Sequence, residues 1–162
     1  MSEEPIFEET FNENLNIDEK VKEGGILANL YIEVQGNNKE VAEKALKIMV
    51  YDRLLKEPNI YVLEVKFYDI RKYAKSEHFS GVVEVKLLAK DFRWFLSAIM
   101  RYAPSAIEII EPDKVTLSLD EMHAIVADVA EMTQYYSSQI LNLLKDEERL
   151  KLYEKILKAS SE

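Results

Sequence analysis

Residues 91–112 read DFRWFLSAIMRYAPSAIEIIEP, and this stretch decides the predicted fold. Asp91 is placed to cap a helix, since Asp is a favoured residue at that position. The apolar residues that follow recur at i, i+3, i+4 and i+7 and so share one helical face; they are Phe92, Phe95, Leu96 and Ile99. Pro104 ends this helix, and residues 106–110 form a strand. A helix followed directly by a strand is typical of the second half of a split β-α-β unit.

The first half of the fold precedes this stretch. Residues 26–35 alternate apolar and polar side chains, which predicts a half-buried strand. Asn37 with Glu40 three residues later predicts the start of a helix, which Pro58 then stops after about residue 57. We expect its core side to consist of Val41, Ala45, Ile48, Met49 and Leu55.

Two further strands lie between these halves, at residues 60–70 and 80–87. We expect the core side chains of the first to be Tyr61, Leu63, Val65 and Phe67, and those of the second to be Val83, Val85 and Leu87. Pairing the strands as a hairpin brings residues that sum to about 150 opposite each other. Glu64 then faces Lys86, and Lys66 faces Glu84, which are favourable cross-strand pairs.

The predicted element order is therefore β-α-β-β-α-β-α. Two β-α-β units with an antiparallel sheet give an α+β, ferredoxin-like sandwich with strand order 4-1-3-2 and both helices on one face. The last helix is additional to that fold. We expect three regions: an acidic N-terminal arm at 1–23, a ferredoxin-like domain at 24–117, and a C-terminal helical extension at 118–162.

The C-terminal extension carries more apolar surface than a small domain can cover. Ser118 and Glu121 form a capping box, and apolar residues recur from there to Leu157. The polar run at 145–149 either breaks this helix or merely exposes it. A continuous helix of about 40 residues is about 60 Å long, so we expect part of it to pack against another subunit; the alternative is a bend at Lys145 that folds it back. The candidate interface residues are Met132, Tyr136, Ile140 and Leu144.

Composition predicts a globular protein, with 48% hydrophobic and 31% charged residues. Without cysteine, a membrane-length apolar run or a secretory signal pattern, the expected location is the cytoplasm. Residues 1–23 hold eight acidic residues against two lysines and so carry −6 of the net charge of −9. This arm is either a mobile acidic tail or a segment that docks on the body or on a basic protein partner, with Phe7, Phe11, Leu15 and Ile17 as one helical stripe. Its acidity disfavours direct nucleic-acid binding.

The sequence contains few residues whose type and spacing predict catalytic or metal-binding chemistry. No metal site, cofactor motif or nucleophile is predicted: His123 has no His or Glu at i+4, His78 lies in the connection between two strands, and the four glycines form no phosphate loop. Carboxylates on the open sheet face pair for acid/base work, bind a cation, or form a salt-bridged, solvated surface; they are Glu33, Glu64, Glu84 and Glu108. Arg93 and Arg101 are the candidate contacts for an anionic ligand.

The segment from Gly81 to Tyr136 resembles the C-terminal extension domain of WYL-domain transcriptional regulators. The resemblance rests on a strand at 82–88, an Asp91-started helix with Trp94-Phe95-Leu96, a strand ending in Glu111-Pro112, and the aromatic pair Tyr135-Tyr136. The chain has neither the winged helix nor the Trp-Tyr-Leu motif of those regulators. The topology is equally similar to ACT-type small-molecule sensors. The resemblance implies an oligomerisation and ligand-responsive module.

These observations together predict a non-catalytic regulatory or protein-interaction module that forms a homodimer or higher homo-oligomer and senses a small ligand. Two alternatives remain. One is an enzyme that uses the sheet-face carboxylates in an oligomeric cleft; the other is a subunit of a larger complex.

Overall fold

The computed structural model describes residues 4–72 and 75–161. It contains a six-stranded antiparallel sheet and, within the described residues, five α-helices. The strands are β1 (Phe7–Thr10), β2 (Ile26–Gly36), β3 (Ile60–Phe67), β4 (Arg71–Lys72), β5 (Phe79–Ala89) and β6 (Ala106–Glu111). The helices are α1 (Ile17–Lys22), α2 (Lys39–Lys47), α3 (Phe92–Tyr102), α4 (Leu119–Asn142) and α5 (Asp146–Ala159). The chain divides into two compact units between Ser118 and Leu119.

The sheet confirms the predicted topology. Its strand order is β1-β3-β5-β2-β6, with the short β4 paired to β5. Within it, β3-β5-β2-β6 is the 4-1-3-2 order of a ferredoxin-like fold read from the other end, and β1 adds a strand at the β3 edge. The hairpin register is also confirmed, because Glu64 lies opposite Lys86 and Lys66 lies opposite Glu84.

One face of the sheet carries the main core. Even-numbered residues of β2 and odd-numbered residues of β5 point to the helices, and Leu30, Val85 and Leu87 are fully buried there. α2 and its continuation, together with α3, cover this face, as predicted. Asp91 accepts a hydrogen bond from the Trp94 amide and so caps α3. The helix places Phe95 and Ala98 in the core; Phe92 and Ile99 pack against it, whereas Leu96 does not join it.

The predicted core face of the first helix is wrong in part: Met49 and Leu55 pack against the main core as predicted, whereas Val41 and Ile48 do not. Asn38, not Asn37, caps α2, through its side-chain oxygen and the Val41 amide. The buried residues are spaced by four, and they are Ala42, Leu46, Val50 and Leu54. Val41 and Ile48 are 50% and 44% exposed.

A change of helix type after α2 explains how residues spaced by four stay buried beyond the end of α2. Residues Ile48–Arg53 form a π-helix and Leu54–Lys56 a 3-10 turn. In an α-helix, a spacing of four drifts by about 40° per step. The wider π-helical turn offsets this drift, so Leu46, Val50 and Leu54 stay over the sheet.

A β-bulge in β3 corrects a second prediction. The register with β5 shifts between Val62 and Glu64. Tyr61 and Leu63 therefore lie on the open face of the sheet, whereas Val65 and Phe67 face the main core as predicted. Leu63 joins Leu27 and Leu88 there in a second apolar cluster.

The N-terminal arm covers that second cluster. β1 pairs with β3, and Leu15, Ile17 and Val21 of the α1 segment pack against Leu27, Leu63 and Leu88. The predicted single helical stripe is wrong, because Phe7 lies in a strand and α1 begins at Ile17. Of the two alternatives for the arm, docking on the body is the one that the described residues 4–23 adopt; residues 1–3 lie outside the described part of the chain.

The final helix is not continuous. α4 ends at Asn142, and the polar run starts α5, where the Lys145 amide donates to Glu148 Oε2 at 2.9 Å. Arg149 Nε donates to the Leu141 carbonyl at 2.9 Å and so caps the end of α4. The 145–149 run therefore breaks the helix.

Replacing Gly25 by Ala tests how the arm docks. A Cβ at Gly25 lies 2.6 Å from the Lys20 carbonyl oxygen and 3.2 Å from that of Ala89. We expect Gly25→Ala to lower the free energy of unfolding by about 1–3 kcal/mol in urea titrations, and to speed amide exchange at residue 25, whose N–H donates to Lys20. Lys22→Ala, on the exposed side of α1, is the matched control; equal stability of the two variants would contradict the close packing.

Candidate functional site

The open face of the sheet holds a hydrogen-bonded network of charged side chains. Tyr68 donates to Glu84 at 2.8 Å, and Tyr31 hydrogen bonds to the same carboxylate. Burial and the Glu84 carboxylate raise the pKa of Tyr68 to about 12 and also raise that of Tyr31. Both phenols are therefore neutral donors at physiological pH.

The remaining carboxylates of this face also have partners. Ser80 donates to Glu33 at 2.5 Å, and Asn29 donates to Glu108 at 3.2 Å. Lys66 lies 3.5 Å from Glu64 on its own strand. Within residues 4–72 and 75–161, no group of His, Asp or Glu side chains is arranged to hold a metal ion. These partners agree better with a salt-bridged, solvated surface than with a pair of carboxylates that act as acid and base.

The two candidate arginines lie at opposite ends of α3. Arg93 is an exposed residue of the first turn, and Arg101 lies in the last turn, about 12 Å further along the axis. Arg101 donates to Glu57 and to Ser97, both at 2.7 Å. Glu57 also accepts from Tyr102 at 2.7 Å. The structure thus ties Arg101 to the chain before α3 and does not bring it together with Arg93.

A pocket of 490 Å³ lies between the arm, α2 and the end of β3. Its volume is in the range of small-molecule sites, about 300–1,000 Å³. Its apolar lining comes from three separate segments, and it includes Ile6, Phe7, Leu46, Tyr51, Phe67 and Ile70. None of Glu64, Glu84 and Glu108 lines it.

The aromatic wall of the pocket is fixed by one hydrogen bond. Tyr51, in the π-helix, donates to Glu9 of β1 at 2.7 Å, and its ring stacks on Phe67 at 6.2 Å between centroids. The Phe7 ring also contacts Phe67, with 6.1 Å between centroids and a tilt of 50°. Burial, together with the Glu9 hydrogen bond, raises the pKa of Tyr51 to about 12. The phenol therefore remains protonated and holds the arm against the helix.

Sequence reasoning did not find this pocket. The only local signal is the i, i+4, i+8 spacing of Lys39, Glu43 and Lys47, which predicts an ordinary surface ladder on a helix. The other walls come from residues distant in sequence, so they cannot be grouped without the fold.

The predicted interface residues lie along the end of α4 and just beyond it. Tyr136 and Ile140 are 46% and 49% exposed, and Met132 and Leu144 are partly buried. Tyr136 packs edge-on against Tyr135 at 5.8 Å. His123 is exposed on α4, and His78 is exposed in the loop before β5. None of the described helices is long and apolar enough to cross a bilayer.

Removal of the Glu57 carboxylate tests the role assigned to Arg101. Glu57→Ala leaves the Tyr102 hydroxyl without this acceptor and the Arg101 guanidinium with Ser97 in place of two acceptors. We expect the free energy of unfolding to fall by about 1–3 kcal/mol, measured by urea denaturation. Glu40→Ala makes the same change on the exposed side of α2 and should have little effect. If the two variants are equally stable, the Arg101–Glu57–Tyr102 network does not hold α3.

The raised pKa of Tyr51 predicts a loss of stability in alkaline solution. A free phenol titrates near pH 10, so between about pH 10 and pH 12 the unfolded chain releases this proton while the folded chain keeps it. The stabilisation is complete below pH 10 and is lost as the pH rises through 12. The pH titration of tyrosinate absorbance in the wild type should contain a component near pH 12 that is absent in Tyr51→Phe. Glu9→Gln should move that component to lower pH; an unchanged titration in both variants would contradict the assignment.

Comparison with known proteins gives one family. Searches of curated proteins and of solved structures returned no match. The model of the MJ0538 family matches residues 27–158, which run from β2 to the last turns of α5 and make up most of the chain. None of these comparisons links the chain to WYL-domain regulators. The extent of the match shows that the chain belongs to the MJ0538 family.

Proposed function

We propose that this protein is a non-catalytic, cytoplasmic interaction module that forms a homo-oligomer through its C-terminal helices. The observation that carries the proposal is an exposed, largely apolar seam that runs along α4 and ends at Leu143, the first residue after the helix. We define the seam by seven residues that follow one another at alternating spacings of four and three: Met122, Val126, Val129, Thr133, Tyr136, Ile140 and Leu143.

Alternating spacings of three and four are the pattern of a coiled coil. The pattern places its residues at the a and d positions of successive heptads, where they meet the same positions of a partner helix. Here it extends over 22 residues, from Met122 to Leu143. A surface helix that packs only on its own domain does not require so strict a repeat.

The seam is exposed to solvent in the single chain. Met122, Val129, Tyr136 and Ile140 are between 39% and 49% exposed, whereas Val126 is 67% and Leu143 is 85% exposed. Full burial of an aliphatic side chain contributes about 1.5–3 kcal/mol. Covering this seam would therefore contribute several kcal/mol to association, even though each residue starts partly covered.

The residues beside the seam favour a second copy of the same helix as the partner. Ala130, Ser137 and Gln139 are uncharged, so two copies can approach without repulsion between like charges at these flanking positions. The a positions Val126, Thr133 and Ile140 are all β-branched. Such residues at a, together with Leu at d, favour two-stranded coiled coils. Among the d positions only Leu143 is Leu, and we infer a dimer as the smallest assembly that covers the seam.

Two of the four predicted interface residues belong to this seam, and the other two flank it. Tyr136 and Ile140 are seam residues, whereas Met132 and Leu144 lie directly beside it. A regulatory role is part of the same proposal, since the resemblance to the extension domain of WYL-domain regulators implies an oligomerisation module.

Sedimentation equilibrium of the full-length protein at micromolar concentration tests the proposal. We expect a dimer for the wild type, and dissociation to monomers in Ile140→Glu, because a carboxylate in the seam would be buried without a partner. The weakening should be at least about a hundredfold in the dissociation constant.

Ala127→Glu is the matched control. It adds the same charge to the same helix at an exposed position outside the seam, so it should leave the dimer intact. A wild-type monomer at these concentrations would exclude the proposal, and so would equal dissociation of the two variants.

A further inference from the structure

The pocket beside α2 has a balanced charged rim above its apolar floor. Lys39 lies 3.0 Å from Asp69, and Lys47 lies 2.8 Å from Glu43. The three α2 residues follow each other at a spacing of four, so cation, anion and cation form one line along the mouth. Asp69 faces this line from the segment after β3.

These ion pairs are exposed and are therefore easily exchanged. The side chains of the first pair are 57% and 56% exposed, and those of the second are 59% and 51% exposed. Pairs of this kind contribute between about 0 and 1 kcal/mol. A ligand that brings one anion and one cation can replace both partners of a pair at little cost.

The floor of the pocket accepts an apolar side chain. Leu46 is 2% exposed, and Phe67 and Ile70 are each 8% exposed, so the base of the pocket is part of the core and is well ordered by packing. Phe7 is 49% exposed and forms an aromatic side wall that a ligand can cover further.

The floor of the pocket is apolar, and its rim carries two cations and two anions. We therefore propose that this pocket binds a small zwitterion with an apolar side chain, of the class of a large apolar α-amino acid. The ligand carboxylate pairs with Lys39 or Lys47. Its ammonium group pairs with Glu43 or Asp69, and its side chain packs against Phe7 and Phe67. Lys39 is also the first residue of α2, where the helix N-terminus favours an anion.

The charge balance of the rim separates this ligand class from simpler ones. A purely anionic ligand can pair with a lysine of the rim, but the carboxylate that was paired with this lysine then loses its partner. A purely cationic ligand pairs with a carboxylate and leaves a lysine without its partner. A zwitterion replaces both partners at once. We therefore expect it to bind more tightly than an analogue that lacks either charge.

The experiment uses L-phenylalanine as the probe and methyl NMR of the full-length protein as the readout. We expect saturable shifts at the methyl groups of Ile6, Leu46 and Ile70, all of which line the pocket. Phenylpropionate, which lacks the ammonium group, and phenethylamine, which lacks the carboxylate, should each bind about tenfold more weakly, because each loses one charge-assisted hydrogen bond.

The lysines of α2 supply the matched variants. Lys39→Met/Lys47→Met removes both rim cations, either of which can pair with the ligand carboxylate, and should weaken binding of L-phenylalanine about tenfold. Lys44→Met removes a charge from the same helix at an exposed position outside the pocket and should not change binding. All three sites are exposed, so both variants should fold, and the NMR spectrum itself reports this.

Three results would overturn the proposal. They are the absence of saturable shifts at the pocket methyl groups, equal affinity for the zwitterion and either single-charge analogue, and shifts confined to methyl groups of α4. The oligomeric state does not enter these measurements, so the pocket and the seam are tested separately.

Discussion

The antiparallel pairing of β2 with β5 is the interaction on which the body depends. The two strands pair over eleven residues, from Ile26 opposite Ala89 to Gly36 opposite Phe79, and both lie in the interior of the sheet. Their alternating side chains fill two faces at once. One face requires the helices α2 and α3. The other presents Leu27 and Leu88, which polar residues cannot cover, and this requirement gives the N-terminal arm its structural role.

The hydrophobic and charge pattern of short segments predicted most of the regular elements of the fold and their order. Strands β2, β3, β5 and β6, the helix start at Asp91, the order of these four strands and the pairing of Glu64 with Lys86 follow from hydrophobic period and complementary charge, whereas β1 and β4 were not predicted. The β3 bulge and the π-helix do not follow from this pattern. Each is one irregularity in an otherwise regular element, and each exists because packing over the sheet compensates its cost. The inverted faces of Tyr61 and Leu63 come from the bulge, and the π-helix keeps Val50 and Leu54 over the sheet in place of Ile48.

The candidate sites also divide into one that a single segment of sequence predicts and one that only the fold assembles. The α4 seam is a property of one helix, so the apolar spacing in the sequence predicted an interaction surface there. The pocket joins Phe7, Leu46 and Phe67, which only the fold brings together. Arg101 illustrates the reverse case: its charge suggests a ligand, whereas its geometry assigns it to Glu57, a residue 44 positions earlier in the chain. The Glu57 side chain is only 13% exposed, so this pair is less easily exchanged than the solvent-exposed ion pairs at the rim of the pocket.

The two units face different energetic demands. In the first unit, strands and helices bury one another, and its core residues Leu30, Val85 and Leu87 are fully covered. In the second, α4 has 24 residues, of which only Ile125 is buried. Helices in proteins gain most of their stability from packing an amphipathic face rather than from intrinsic propensity. A long helix with one buried residue therefore depends for stability on further cover of its apolar surface. Under the association proposed above, folding of this unit and association of the protein would be a single linked equilibrium, in which the concentration of the protein sets the order of its C-terminal helices.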